Sequence, residues 1–146
     1  MASQTTYSFL DLSGAISQSS LGAYTFTGEG VGEITVSMAT DRTVHDTAAD
    51  GSVMVSKVAG DSGHLTVSCQ QTSTVHKWLL AWYNYLVAAG TDEWASTTML
   101  LNNTTDGTSH VITGVSPQKV PDKAYQAQGQ RVSWVLMAAS ISSIAV

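Results

Sequence analysis

Residues able to do chemistry are few in this chain, and their spacing argues against most reactions. Gly60-Asp61-Ser62-Gly63 spells the surroundings of a serine nucleophile. A serine becomes nucleophilic only when a base takes its proton and an acid orients that base. His45 lies upstream in a stretch with no such context, and the four residues are ordinary turn formers, so a turn is expected. Gly114-Val115-Ser116-Pro117-Gln118 lacks the second glycine of a nucleophile elbow. The glycines at 28, 30 and 32 have the wrong spacing for a dinucleotide fingerprint and precede a strand pattern rather than a helix. His45, His64, His76, His110 and Cys69 show no close ligand pair. Structural metal sites normally show one. On a common strand, His64 and Cys69 would point to opposite faces. No enzymatic activity, metal or cofactor is expected, and Cys69 reads as a buried thiol beside Leu65 and Val67.

The elements that hold these residues are mostly short strands. Glu33 to Met38 alternates, with Ile34, Val36 and Met38 on one face, and Leu65 to Cys69 does the same. Further strands are expected at 7–12, 23–27, 53–58, 97–101, 110–115 and 131–138; the last is apolar on both faces and so central. Asp50-Gly51 and Asp106-Gly107 read as hairpin turns, because glycine accepts positive φ. Asn102-Asn103-Thr104-Thr105 contains two glycosylation sequons, read more simply as a polar hairpin tip. Residues 132–146 are too short and too serine-rich to span a bilayer and read as a buried strand with a Ser-rich tail. The N-terminus has neither the basic nor the apolar run of a signal peptide. One cysteine permits no intrachain disulfide.

A single helix is expected at about 74–89, with Ser73 as N-cap and Gly90 just past its end. Val75, Leu79, Trp82, Leu86 and Ala89 share one face, which Trp78 and Tyr85 widen. Leu80, Tyr83 and Val87 make a second apolar stripe beside His76. A helix apolar nearly all round needs cover nearly all round, and one small β-domain covers only one side. The second stripe therefore points to a neighbouring subunit, the alternative being a long loop folded over it.

Composition agrees. The 146 residues suit one domain, 1–146. Charged residues are 12%, against about 25% in a usual soluble domain, while 19 Ser and 18 Thr supply the polarity. Between Ser62 and Thr91 the only formal charge is Lys77. Interface cores are depleted of charge in this way. The net charge of −5 excludes a protein that grips nucleic-acid phosphates. A carbohydrate-binding β-sandwich is a rival reading, with Trp94 as the free aromatic; a capsid or tail decoration protein is another.

Three stretches, YSFLDLSGAI (7–16), ITVSMATDRTVHDTAADGSVMVSKVAGDSGHLTVSCQQTS (34–73) and KVPDKAYQAQGQRVSWVLMAA (119–139), together resemble the tail tube proteins of contractile-tailed bacteriophages. That resemblance implies a mainly β fold: a small β-sandwich or partly closed barrel with one flanking α-helix, similar to the tubes of type VI secretion and pyocin-like systems. It implies six-membered rings whose strands line an inner barrel. The rings stack around a tape-measure protein, inside a sheath, between baseplate and tail terminator. DNA passes through without specific binding, and no membrane is involved. The protein would be a virion component assembled in the host bacterial cytoplasm. Residues 39–54 align with the loop that bridges rings. Subunit contacts are then expected at Leu80, Tyr83, Val87, Arg42, His45 and Met54, and Glu29, Glu33 and Asp106 are candidates for an acidic lumen wall that DNA slides past.

Overall fold

In the computed structural model, residues 4, 6–26, 30–105 and 107–145 are described. After a 3-10 turn at Phe9–Asp11 come β1 (Leu12–Gln18), β2 (Gly22–Phe26), β3 (Val31–Met38), β4 (Thr43–Thr47), β5 (Val53–Lys57) and β6 (Gly63–Gln70). Then follow α1 (Thr74–Ala88), β7 (Thr97–Asn103), β8 (Thr108–Pro117), β9 (Arg131–Ala138) and β10 (Ser140–Ala145). Eight strands are joined in one antiparallel path, β2-β1-β7-β8-β9-β6-β3, with β10 also on β8; β4 and β5 form a separate hairpin.

The path folds into two layers because β8 belongs to both. Its first half lies between β7 and β10, and its end, Ser116 and Pro117, pairs with Met137 and Leu136 of β9. The change of layer occurs at Gly114. There φ is +65° and the register against β7 shifts by one residue. A Cβ on Gly114 would come within 2.5 Å of the Ala139 Cβ, and the Ala139 N–H donates to Thr113 O at 3.1 Å. Strands that switch sheets turn their corners at such bulges.

Between the layers sits one core. The upper layer gives Ile16, Met99, Leu101 and Ile112; the lower gives Leu65, Val67, Trp134 and Leu136. Strict alternation in β6 and β9 puts these side chains inward and Thr66, Ser68 and Ser133 outward. The layers do not close into a barrel: β2 and β3 remain edges of the path.

α1 closes the side of the sandwich. The Ser73 hydroxyl caps it by accepting from the His76 N–H at 3.2 Å. Of its expected face Val75, Leu79, Trp82 and Leu86 join the core, while Ala89 is the half-buried C-cap just past the helix. The Trp82 indole N–H donates to Thr97 Oγ1 at 2.9 Å, so the ring is buried without an orphaned donor.

Some expectations give way. Residues 7–12 are not a strand: Ser8 accepts from the Leu10 N–H and caps the short turn, and the strand starts at Leu12. Residues 43–47, expected as loop, are strand β4 across from β5, joined by the Asp50-Gly51 turn with Gly51 at φ +90°. The Ser-rich tail is itself a strand, β10. β9 is central, as its composition implies, but only its even-numbered side is buried; Met137 looks outward.

Candidate functional site

The nucleophile-like stretch is structural. Ser62 O accepts from the Ala39 N–H at 3.0 Å and Asp61 O from the Ile141 N–H at 2.8 Å, so this turn ties the end of β3 to β10. The Asp61 carboxylate pairs with the Arg42 guanidinium and orients no base. His64 lies on the outward face of β6, in register with Ser37 and Met137, opposite to buried Cys69. Burial pushes the Cys69 thiol up, and its Sγ contacts Val132 O at 3.7 Å. Among the described residues no three His, Cys, Asp or Glu side chains converge as a metal site. Trp94 is not free for a sugar: it is half-buried against the core. The exposed aromatics are Tyr7, 70% accessible, and Tyr125, 81% accessible and under the Lys123 ammonium at 5.5 Å.

What the fold displays instead is exposed apolar surface. β4 and β5 are exposed at every residue. Arg42 sits at the base of this hairpin, His45 faces Val55, and Met54, 62% accessible, faces Asp46. Val44, Val53 and Val55 are exposed too, so both faces of the hairpin carry apolar side chains. The Val58 N–H donates to Arg42 O and closes the base of the hairpin, and the Arg42 guanidinium reaches back to Asp61 ahead of β6.

On α1 the second stripe is graded. Leu80 and Tyr83 are half-buried and pack against the core, while Val87 is 58% accessible. Tyr83 leans on the Trp134 ring with centroids 6.5 Å apart. Beneath lies His76, 4% accessible, whose Nδ1 accepts from the Trp134 indole N–H at 3.1 Å. That bond puts the imidazole proton on Nε2, which is buried with no partner among the described residues. Burial, and secondarily the Lys123 charge, pulls the His76 pKa below its usual value.

Glu33 is exposed on the outward face of β3, where its Oε1 accepts from the Thr35 hydroxyl at 3.1 Å. Glu29 and Asp106 lie outside the described residues. Sequence reasoning missed the outward face of β2-β1-β7-β8-β10, which shows Leu100, Val111 and Ile144 among Ser, Thr, Ala and Asn. Its signal was present as alternation: Ser13, Ala15 and Ser17 stand between Gly14, Ile16 and Gln18.

The profile of the family described as bacteriophage PhiTE tail tube protein matches residues 4–145. The chain belongs to that family. It is a structural protein of a bacteriophage tail tube and a component of the virion, not an enzyme. Solved tube-like structures share its fold. One is an extracellular contractile injection system, the PVC sheath-tube complex in the extended state: TM-score 0.60 at 10% identity, over 97% of this chain and 93% of that one. Another is the PVC sheath/tube terminator, TM-score 0.60 at 10% identity, over 99% and 100%. A third is the anti-feeding prophage baseplate, TM-score 0.61 at 8% identity, over 99% of both. No curated protein sequence matches this tail tube protein. Among the described residues no helix is long and apolar enough to cross a membrane.

Proposed function

We propose that this tail tube protein, acting as one domain over 1–146, builds six-membered rings that stack into the inner tube of a contractile tail. The tube is the conduit for DNA. A tape-measure protein fills it during assembly in the host cytoplasm, the sheath wraps it, and baseplate and terminator close its ends. The observation that carries the reading is the β4–β5 hairpin. A two-stranded hairpin alone is marginal in water. This one is exposed at all ten strand residues and apolar on both faces. Its Arg42, His45 and Met54 are assigned to contacts with the adjacent ring, where a second copy supplies the missing cover.

The outward face of β3-β6-β9, with Thr35, Thr66, Ser68 and Ser133, is assigned to the lumen. Glu33 gives it negative charge, and Glu29 and Asp106 extend that role from the sequence. A wall made mostly of hydroxyls, with Glu33 to offset its one described cation, Arg131 at the start of β9, offers passing phosphates little to hold. Leu80, Tyr83 and Val87 are assigned to contacts within the ring.

Electron microscopy of the purified chain at rising concentration tests this. Stacked six-fold rings with an open lumen are expected. A monomer that persists at high concentration refutes the reading. Binding only to preformed capsids or tails would mark a decoration protein instead.

A further inference from the structure

We infer that the joint between neighbours in a ring is formed by the exposed side of α1 of one copy seated on the outward face of β2-β1-β7-β8-β10 of the next; this rests on the ring reading above. The sheet face is defined by register. Cross-strand rows run Thr25–Ala15–Leu100–Val111–Ser142 and Ser13–Asn102–Ser109–Ile144. Among the described residues no outward side chain on these strands is charged. Its hydroxyls and amides are partly satisfied on the spot, as in Ser17 Oγ to Thr98 Oγ1 at 3.0 Å and Ser109 Oγ to Asn102 Oδ1 at 2.6 Å. A dent of about 200 Å³ opens in it, floored by Gly14 and edged by Ala15, Thr25, Leu100 and Asn102.

A face without charge excludes partners that would bury a charge unpaired. The other prominent surfaces of this chain fail that condition. The hairpin carries Arg42, Asp46 and Lys57, the 118–130 segment carries Lys119, Asp122 and Lys123, and the β3-β6-β9 face carries Glu33 and Arg131. α1 comes nearest to it: its one charge, Lys77, lies toward its N-terminal end, and the rest of its exposed side is Thr74, Ala81, Asn84, Val87 and Ala88. Alanines let the helix approach closely, Val87 is small enough to enter the dent, and Asn84 can exchange hydrogen bonds with Ser13, Thr25 or Asn102. The two patches are different surfaces of one subunit, so the contact is head-to-tail, and such a contact closes into a ring when its rotation allows.

The test pairs Val87→Cys with Leu100→Cys in one chain, with Cys69 left in place because it is buried. Under oxidation, assembled double-variant protein should give a ladder of covalent oligomers that collapses on reduction, and each single variant should give none. Separately, Val87→Lys or Leu100→Glu alone should remove the sedimenting polymer, and the two together in one chain should restore it. Tubes that form without a ladder overturn this joint and leave the ring reading standing; the face then belongs to the sheath or another tail component. A cross-link in Val87→Cys alone means a two-fold contact and also overturns it. Failure of the unsubstituted chain to form rings overturns both.

Discussion

Lowering the pH should loosen the seat of α1 through one residue, His76. Its Nδ1 accepts from Trp134 and its Nε2 is buried without a partner, so the folded chain holds it neutral. Protonation would turn Nδ1 into a donor facing a donor and place a charge beneath the helix. The folded pKa lies below the usual value of 6.5, because of burial first and the Lys123 charge second. Between the two values the unfolded chain binds the proton and the folded chain does not. The contribution is therefore fully present above 6.5 and is lost as the pH falls below it. One proton sets a ceiling of about 1.4 kcal/mol per pH unit, and up to about 1.4 kcal/mol in all between pH 7.5 and 5.5. With a urea slope of about 1–3 kcal/mol/M, the midpoint should fall by as much as about 0.5–1.4 M. The assay is urea unfolding of dilute, unassembled subunit, followed by tryptophan fluorescence, at half-unit steps of pH. His76→Asn keeps an acceptor near Nδ1 and cannot titrate, so its midpoint should stay level over this window. If the variant falls as steeply as the parent, His76 is not the source and the reasoning fails. The Asp50 carboxyl, held down by the Ser52 hydroxyl, acts in the same direction but only at pH values below its usual 3.8.

Three further outcomes are expected. Leu80→Glu or Tyr83→Glu should block polymer formation while circular dichroism still reports a folded subunit; normal tubes by microscopy would remove the stripe from the interface. Val44→Ser with Met54→Ser should leave the subunit's melting temperature within a degree or two, since both side chains are exposed, yet yield short stacks or single rings; tubes of parental length would show that the hairpin does not bridge rings. Gly114→Val should destabilise the subunit by roughly 2 kcal/mol or more, because a β-branched residue is strained at positive φ and its Cβ would press on Ala139. A urea midpoint equal to the parent's would contradict the corner described for β8.

Where one physical rule dominated, the sequence was readable. The helix came within a residue of its observed end, because Ser73 caps it and the Val75–Leu79–Trp82–Leu86 face must be buried. β6 and β9 were equally plain, since inward aliphatics alternate with Ser and Thr. β1 was not: Leu12 to Gln18 mixes Ser, Gly and Ala, and its core side chains are only Ile16 and Gln18. Gln18 is buried and bonded to Glu93 and Ser96, a use that periodicity does not register. β4 was hidden for the opposite reason: it is buried nowhere in the subunit, so no in–out alternation marks Thr43 to Thr47. Trp94 was misjudged because a residue outside any periodic segment gives no sign of what lies over it. The proposed contact surfaces were half legible. The charge deficit points to α1, but the sheet face of Leu100, Val111 and Ile144 emerges only when the register brings β7, β8 and β10 side by side.

The corner at Gly114 has a mechanical meaning. β8 runs through both layers, and the chain passes from β9 to β10 beside it at Ala139. A force applied to one layer therefore reaches the other along covalent backbone, not across side-chain packing alone. To slide the layers apart, a load must shear the long β7–β8 and β6–β9 ladders, where many hydrogen bonds share it at once, rather than peel them one by one. In the stacked tube proposed above, a subunit wired this way would carry load between its layers as a strut.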